Sequence, residues 1–187
     1  MPNQTDTPST RRPSYAPVAA ATRWLETSDT SAIMSDVSFV VVPAAYVALV
    51  RPGAAGLEVL MMLRRGTGYM DEHWALVAGH LEDGESVEAG AAREVREEVG
   101  VEIDTESLEP LCGMHRRSSE LPVDQRVDYF FACRRWRGEP RLVEPDKAAD
   151  LRWFALSELP DPVVPHELRV LRALSHGRVP AILSHGF

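Results

Sequence analysis

One stretch, Gly79 to Val101 (GHLEDGESVEAGAAREVREEVGV), constrains this chain more than any other. Gly79 and Gly84 bracket an acidic turn, and from Glu85 onward only Gly90 weakens a helical run that stops at Gly100. Gly100 stands where a helix wants a left-handed residue past its last turn. Val87, Ala91, Val95 and Val99 recur near one side at helical spacing, which gives a modest apolar face. Glu94, Glu97 and Glu98 fall within one turn on the other side, and like charges at that spacing destabilise a bare helix. Arg93 can pair with Glu97 four residues on, but one guanidinium does not neutralise three carboxylates.

Two readings of that patch stand side by side. A Glu-rich helix is often a solvated charged face. A cluster of carboxylates also suits a hard divalent cation, which takes oxygen ligands from a few carboxylates, water and phosphate. The Gly-rich loop ahead of the helix favours the metal reading, because a plain surface helix has no need of one.

The spacing resembles the Nudix box, G-x5-E-x7-R-E-U-x-E-E-x-G-U with U a bulky aliphatic residue. Gly79, Glu85, Arg93, Glu94, Val95, Glu97, Glu98, Gly100 and Val101 fill every defined position without a gap. That resemblance implies a Nudix fold, an α+β protein built as an α/β/α sandwich with a mixed sheet between helices, over residues 37–177. It also implies hydrolysis of a nucleoside diphosphate-linked substrate with Mg2+ or Mn2+. Glu97 and Glu98 are then the main metal ligands, Glu94 a ligand or the general base, and the carbonyl of Ala78 a further ligand. Arg93 completes the catalytic set by holding carboxylates in position, while Glu85, Gly79, Gly84 and Gly100 are structural. The passage from Arg135 through Glu144 to Phe154 is similar to MutT-type members, which places Glu144 as another metal-binding glutamate.

The remaining sequence sets the context. A formal net charge of -8 and a pI near 5.3 argue against broad binding to nucleic-acid polymers or membrane surfaces, for which a basic patch is the footprint. A nucleotide remains compatible, since a bound cation carries positive charge locally. Cys112 and Cys133 are the only cysteines and have no metal spacing, so a reducing cytoplasm is the simplest compartment. Residues 1–36 are rich in Pro, Ser and Thr, so a disordered or weakly ordered tail is expected there, and 178–187 reads as a C-terminal tail. Arg11 and Arg12 suggest a twin-arginine signal only superficially, because no adequate apolar segment follows.

Between the tails, strands are expected from Phe39 to Val50 and from Leu57 to Arg65 as a hairpin, with Pro43 interrupting the first. Further strands are expected at Leu108–Ser118, Gln125–Trp136 and Asp150–Ala155, and an amphipathic helix that packs on the sheet at His166–His176. Arg64 and Arg65 are candidates to face phosphate, or else form a charged strand end. Tyr69 and Trp74 are candidates to stack on a base, with core packing the alternative for Trp74. Trp24, Leu25 and Trp136 are candidates for burial in a homodimer, as many relatives are dimers.

The box does not fix the substrate. The compact size and the MutT-like passage favour a nucleoside triphosphate pyrophosphohydrolase, with ADP-ribose or a nucleotide-sugar as the rival. A catalytically silent nucleotide-binding module on the same scaffold is the alternative from a different class, and such modules usually have a damaged box. A metal-dependent isomerase on this fold would need a Cys and a Glu in the pocket, and neither cysteine has a recognisable partner pattern.

Overall fold

A strand that is apolar without alternation is covered on both faces, and the first run of this kind forms the centre of the sheet. The computed structural model describes residues 41–118 and 125–187. In it β1 (Val42–Gly53) is buried from Ala44 to Val50. Ala44, Tyr46, Ala48 and Val50 face one core, and Ala45, Val47 and Leu49 face the other. Pro43 does not break the strand. It pairs with Val127 in a parallel ladder, and its carbonyl accepts from the Leu81 N–H.

β1 and β2 (Gly56–Arg64) make the expected hairpin, but their ladder runs only from Val50–Gly53 to Gly56–Val59. Past that ladder, β3 (Trp74–Ala75) pairs with β2 and β4 (Val77–His80) pairs with β1. Leu76 is therefore the crossover residue between two ladders. On the other side of β1 lies β6 (Gln125–Cys133), parallel to it, and β5 (Leu108–Arg117) runs antiparallel to β6. β7 (Ala148–Ala155) pairs antiparallel with β2. Where the sequence reads as a tail over 178–187, the structure adds β8 (Ile182–His185), parallel to β5. The short apolar pair Ile182-Leu183 is too brief to stand out as a strand without its partner.

One helix covers each face. α1 (Val87–Val99) buries Ala91, Val95 and Val99 against Val47, Leu49 and Phe131. α2 (Pro165–Ser175) buries Val170 and Leu171 against Phe130, Met114 and Tyr46. A mixed sheet between helices is the α+β arrangement expected, an α/β/α sandwich. Among the described residues no helix is long and apolar enough to cross a membrane. The tail over 1–36, with Trp24 and Leu25, and the loop at 119–124 lie outside the described residues. Trp136 stacks on Trp153 at 5.8 Å within the chain.

Two local devices fix where α1 starts and stops. Ser86 caps its first turn by accepting from the Ala89 N–H at 3.2 Å. Gly100 ends it at φ 68°, and its N–H reaches the Arg96 carbonyl at 3.1 Å. A Cβ at Gly100 would also press on Val143 at 3.0 Å. Gly100→Ala is therefore expected to lose roughly 1–2 kcal/mol from the left-handed backbone alone. Urea unfolding checks this, and an unchanged midpoint would contradict it.

Candidate active site

Arg93 organises the box. Its guanidinium forks onto Glu85 at 2.9 and 3.0 Å, donates to Glu94 at 2.6 Å and to Glu97 at 3.2 Å, and reaches the His80 carbonyl at 3.0 Å. The bonds from Arg93 hold the Glu85 carboxyl below the usual carboxylate range. A Cβ on Gly79 would collide with the Glu94 carboxylate, so this glycine opens the space in which Glu94 sits against β4. Gly84 shapes the turn at φ 76°.

Glu98 is the buried member of the set. Its Oε2 accepts from the Ala78 N–H at 3.1 Å. Burial, assisted by the charges of Glu94 and Glu144, pushes its pKa up to about 8. Burial raises Glu94 as well, against the opposing pull of Arg93. Glu144 sits opposite on the loop before β7 and takes the Lys147 ammonium at 2.9 Å. Glu94, Glu98, Glu144, Lys147, Ala78 and Arg93 all line one cavity of about 910 Å³.

Glu97 does not line it. The sequence gives Glu97 equal standing with Glu98, but its side chain is 45% exposed and held at the rim by Arg93 and, at 3.9 Å, Arg96. Neighbouring helix positions differ by about 100° in direction, so Glu97 and Glu98 cannot both point inward unless the side chains bend back. Among the described residues, no three His, Cys, Asp or Glu side chains are grouped as they would be around a metal ion. The donors that do converge are all oxygens, and a buried Glu98 beside two further carboxylates is short of positive charge. That chemistry fits a hard divalent cation.

The cavity continues away from the box past Arg64 and Tyr69, which the sequence offers as substrate contacts, to residues that it does not single out. Arg64 lines it, bonded to the Tyr69 carbonyl and the Thr67 hydroxyl at 2.9 Å each. Tyr69 stands at the mouth, 39% exposed, with its hydroxyl 3.3 Å from Arg116. Arg116 makes a buried ion pair with Asp128 at 2.7 Å. Removing one partner from such a pair typically costs about 3–5 kcal/mol. Tyr46, Ser118, Arg126 and Glu167 complete this end. His166 lies beside them, its Nε2 3.3 Å from the Tyr46 hydroxyl, and burial pushes its pKa down to about 2. Burial pushes Glu167 up to about 8. One signal for this pair was present. His166 and Glu167 precede Val170 and Leu171 by four residues each, so they fall on the buried side of α2 rather than the wet one.

Two candidates are corrected. Trp74 is 8% exposed, packs edge-on against Phe154 at 4.7 Å and lines no part of the cavity, because β3 carries its ring into the α2-side core. Arg65, one residue past the end of β2, donates to the Pro145 carbonyl and lines no part of the cavity. Cys112 and Cys133 are both free and buried.

With the geometry described, three comparisons bear on it. A model of the NUDIX domain matches residues 41–174. The NAD-capped RNA hydrolase NudC of Stutzerimonas stutzeri is 33% identical over 100 residues, which is 54% of this chain but only 33% of that protein. The chain thus spans about a third of that relative's length. A MutT NUDIX hydrolase of Burkholderia pseudomallei superposes with a TM-score of 0.63 at 28% identity, covering 71% of this chain and 97% of that one. The NUDIX domain of Shewanella oneidensis NrtR, solved with ADP ribose, superposes with a TM-score of 0.61 over 79% of this chain and 97% of that one. At 15% identity the last shows likeness of fold alone.

The raised carboxyls carry a consequence for stability. Glu98 and Glu167, near 8 in the folded protein, hold protons there that the unfolded chain has already lost. They therefore stabilise the fold at low pH and lose that contribution as pH rises toward 8. The buried His166 acts in the opposite sense, but only below its ordinary value of 6.5. Unfolding free energy of the metal-free protein should thus fall from pH 6.5 to 8, and less steeply in Glu98→Gln. Urea unfolding in a chelating buffer measures it, and a flat or rising profile contradicts it.

Proposed function

The chain belongs to the Nudix family, whose domain it matches over residues 41–174, and from that premise we propose that it hydrolyses a phosphoanhydride bond in a nucleoside diphosphate-linked substrate. The observation that carries this reading is the pair Glu94 and Glu98, held by Arg93 and the Ala78 N–H on the wall of one large cavity. Nudix hydrolases generally use a divalent metal. Here Glu94, Glu98, Glu144 and the Ala78 carbonyl would hold Mg2+ or Mn2+, with Glu97 available from the rim. When bound, such a cation offsets phosphate charge and makes water a stronger nucleophile.

The chain's own residues supply the rest. Glu94, where it is not itself a ligand, is the group placed to take the proton from the attacking water. Arg93 keeps Glu94 aimed while the Ala78 N–H holds Glu98, and losing such a supporting bond usually lowers affinity or activity about 10–100-fold. Arg64 and Arg126 bring positive charge to the cavity, where phosphate oxygens can pair with them. Arg126 has no ion-pair partner among the described residues. Tyr69, half open at the mouth, suits stacking on a base.

A nucleoside triphosphate, cleaved to the monophosphate and pyrophosphate, is the first reading of the substrate. The size of the cavity, about 910 Å³, also favours a two-headed substrate such as ADP-ribose or a nucleotide-sugar, which would fill it more completely. A silent binding module is disfavoured by a box with no damaged position.

A hydrolysis panel with Mg2+, setting nucleoside triphosphates against ADP-ribose and NADH, tests the proposal. One class should be turned over, and Glu98→Gln or Glu94→Gln should lower kcat by about a hundredfold or more. Arg93→Lys should lose about 10–100-fold, because lysine cannot fork onto Glu85 and reach Glu94 together. Absence of every cleavage product, pyrophosphate from the triphosphates and AMP from ADP-ribose or NADH, would end the hydrolase reading.

A further inference from the structure

Of the 20 Lys and Arg residues in the chain, Lys147 alone is a lysine. It stands on the loop before β7 and lines the cavity with Glu94, Glu98 and Glu144. Its backbone is pinned from two sides: its N–H donates to the Glu144 carbonyl at 3.0 Å, and its carbonyl accepts from the Arg65 N–H at 2.9 Å. Its side chain is not pinned. It is 63% exposed, and its ammonium donates to Glu144 Oε1 at 2.9 Å. An ammonium has three donors, so that bond leaves two for other acceptors.

The neighbouring cations of the cavity are held more firmly. Arg93 commits its donors to Glu85, Glu94, Glu97 and the His80 carbonyl. Arg116 is locked in its buried pair with Asp128, and Arg64 is bonded to the Tyr69 carbonyl and the Thr67 hydroxyl. An exposed ion pair such as Lys147 with Glu144 is weakly held by comparison. The charge of Lys147 still reaches the whole carboxylate set: Glu144, Glu98 and Glu94 each act on it, and it acts on Glu94 in turn. An arginine at this place would fork onto the Glu144 carboxylate and occupy both oxygens. A lysine holds one oxygen as a point charge on a flexible stem, and it can leave.

We propose that Lys147 is the exchangeable cation of this site, resting on Glu144 in the metal-free protein, yielding that carboxylate to the divalent cation, and then turning its ammonium to a phosphate oxygen of the substrate. This rests on the metal reading above. A divalent cation and an ammonium on one carboxylate repel at close range, and only the ammonium has a stem that lets it move aside. The phosphate chain then offers it charged acceptors on the wall of the same cavity. The exchange keeps the carboxylates from standing uncompensated when the cavity is empty. It also brings one more positive charge to bear when phosphate arrives.

Titration calorimetry with Mn2+ alone, on the full chain and on Lys147→Met and Lys147→Arg, tests the first half. Lys147→Met removes the competitor and should bind Mn2+ about two- to fivefold tighter, the range that an exposed ion pair contributes. Lys147→Arg keeps the charge but forks onto Glu144, and should bind about two- to fivefold more weakly. A response to charge alone would leave Lys147→Arg at the wild-type value. The second half is read by binding of magnesium pyrophosphate in excess free Mg2+, which Lys147→Met should weaken by about tenfold. A merely structural role would not move the two ligands in opposite directions in one variant. The side chain is exposed, so neither substitution disturbs the core. Mn2+ affinity of Lys147→Met at or below wild type, that of Lys147→Arg at or above it, or pyrophosphate binding unchanged in Lys147→Met would each overturn the inference. Glu98→Gln, titrated alongside, checks the metal reading separately: undiminished Mn2+ affinity there would show that the cation sits elsewhere and would overturn both.

Discussion

Arg93 carries the arrangement on which everything else depends. Its guanidinium spends all of its donor positions within the box, on Glu85, Glu94, Glu97 and the His80 carbonyl. Only a planar fork can serve so many acceptors in different directions at once. It ties the turn before α1, the helix itself and the end of β4 into one piece. Without that charge, three glutamates on one helical turn would repel one another and the helix would be a poor one. With it, two of them can be brought against β4, where Gly79 leaves room for a carboxylate and the Ala78 N–H receives another.

The sheet supplies the second constraint. β1 and β2 separate after four ladder pairs, and the β3–β4 segment pairs with each in turn. This sets backbone N–H groups of Leu76 and Ala78 two residues apart, about 7 Å along the strand. One is met by Glu167 from α2 and the other by Glu98 from α1. The helices on opposite faces of the sheet thereby deliver one buried carboxylate each to the same cavity. Both carboxylates stand on the wall of that one cavity.

How much of this was legible in the sequence follows from the range of the interactions. The box, its helix and the glycine that ends it are local patterns, and spacing alone groups Glu94, Glu97, Glu98 and Arg93 in one patch. Glu97 was placed with them because spacing records which residues share a helical turn, not which one a neighbouring arginine captures. Trp74 was misplaced because a two-residue strand gives no pattern from which to read which face its ring takes, and Arg65 because it lies one residue past the end of β2, where strand parity no longer applies. Glu167, Asp128 and Arg116 lie on α2, β6 and β5. Only the fold brings them together, and their signal was confined to polar residues on faces that packing would otherwise make apolar. β8 escaped notice because a four-residue edge strand is specified by its partner more than by its own sequence.

The central claim is that the carboxylates around Glu98 are an incomplete charge set that a divalent cation completes. Titration calorimetry with Mn2+ at pH 7, repeated in two buffers of different ionisation enthalpy, counts the protons released on binding. With Glu98 held near 8 in the metal-free protein, binding should release close to one proton per protein, and Glu98→Gln should abolish that release. Tight Mn2+ binding with no proton released, or release unchanged in the variant, would show that the cation sits elsewhere and that Glu98 is not the group it completes.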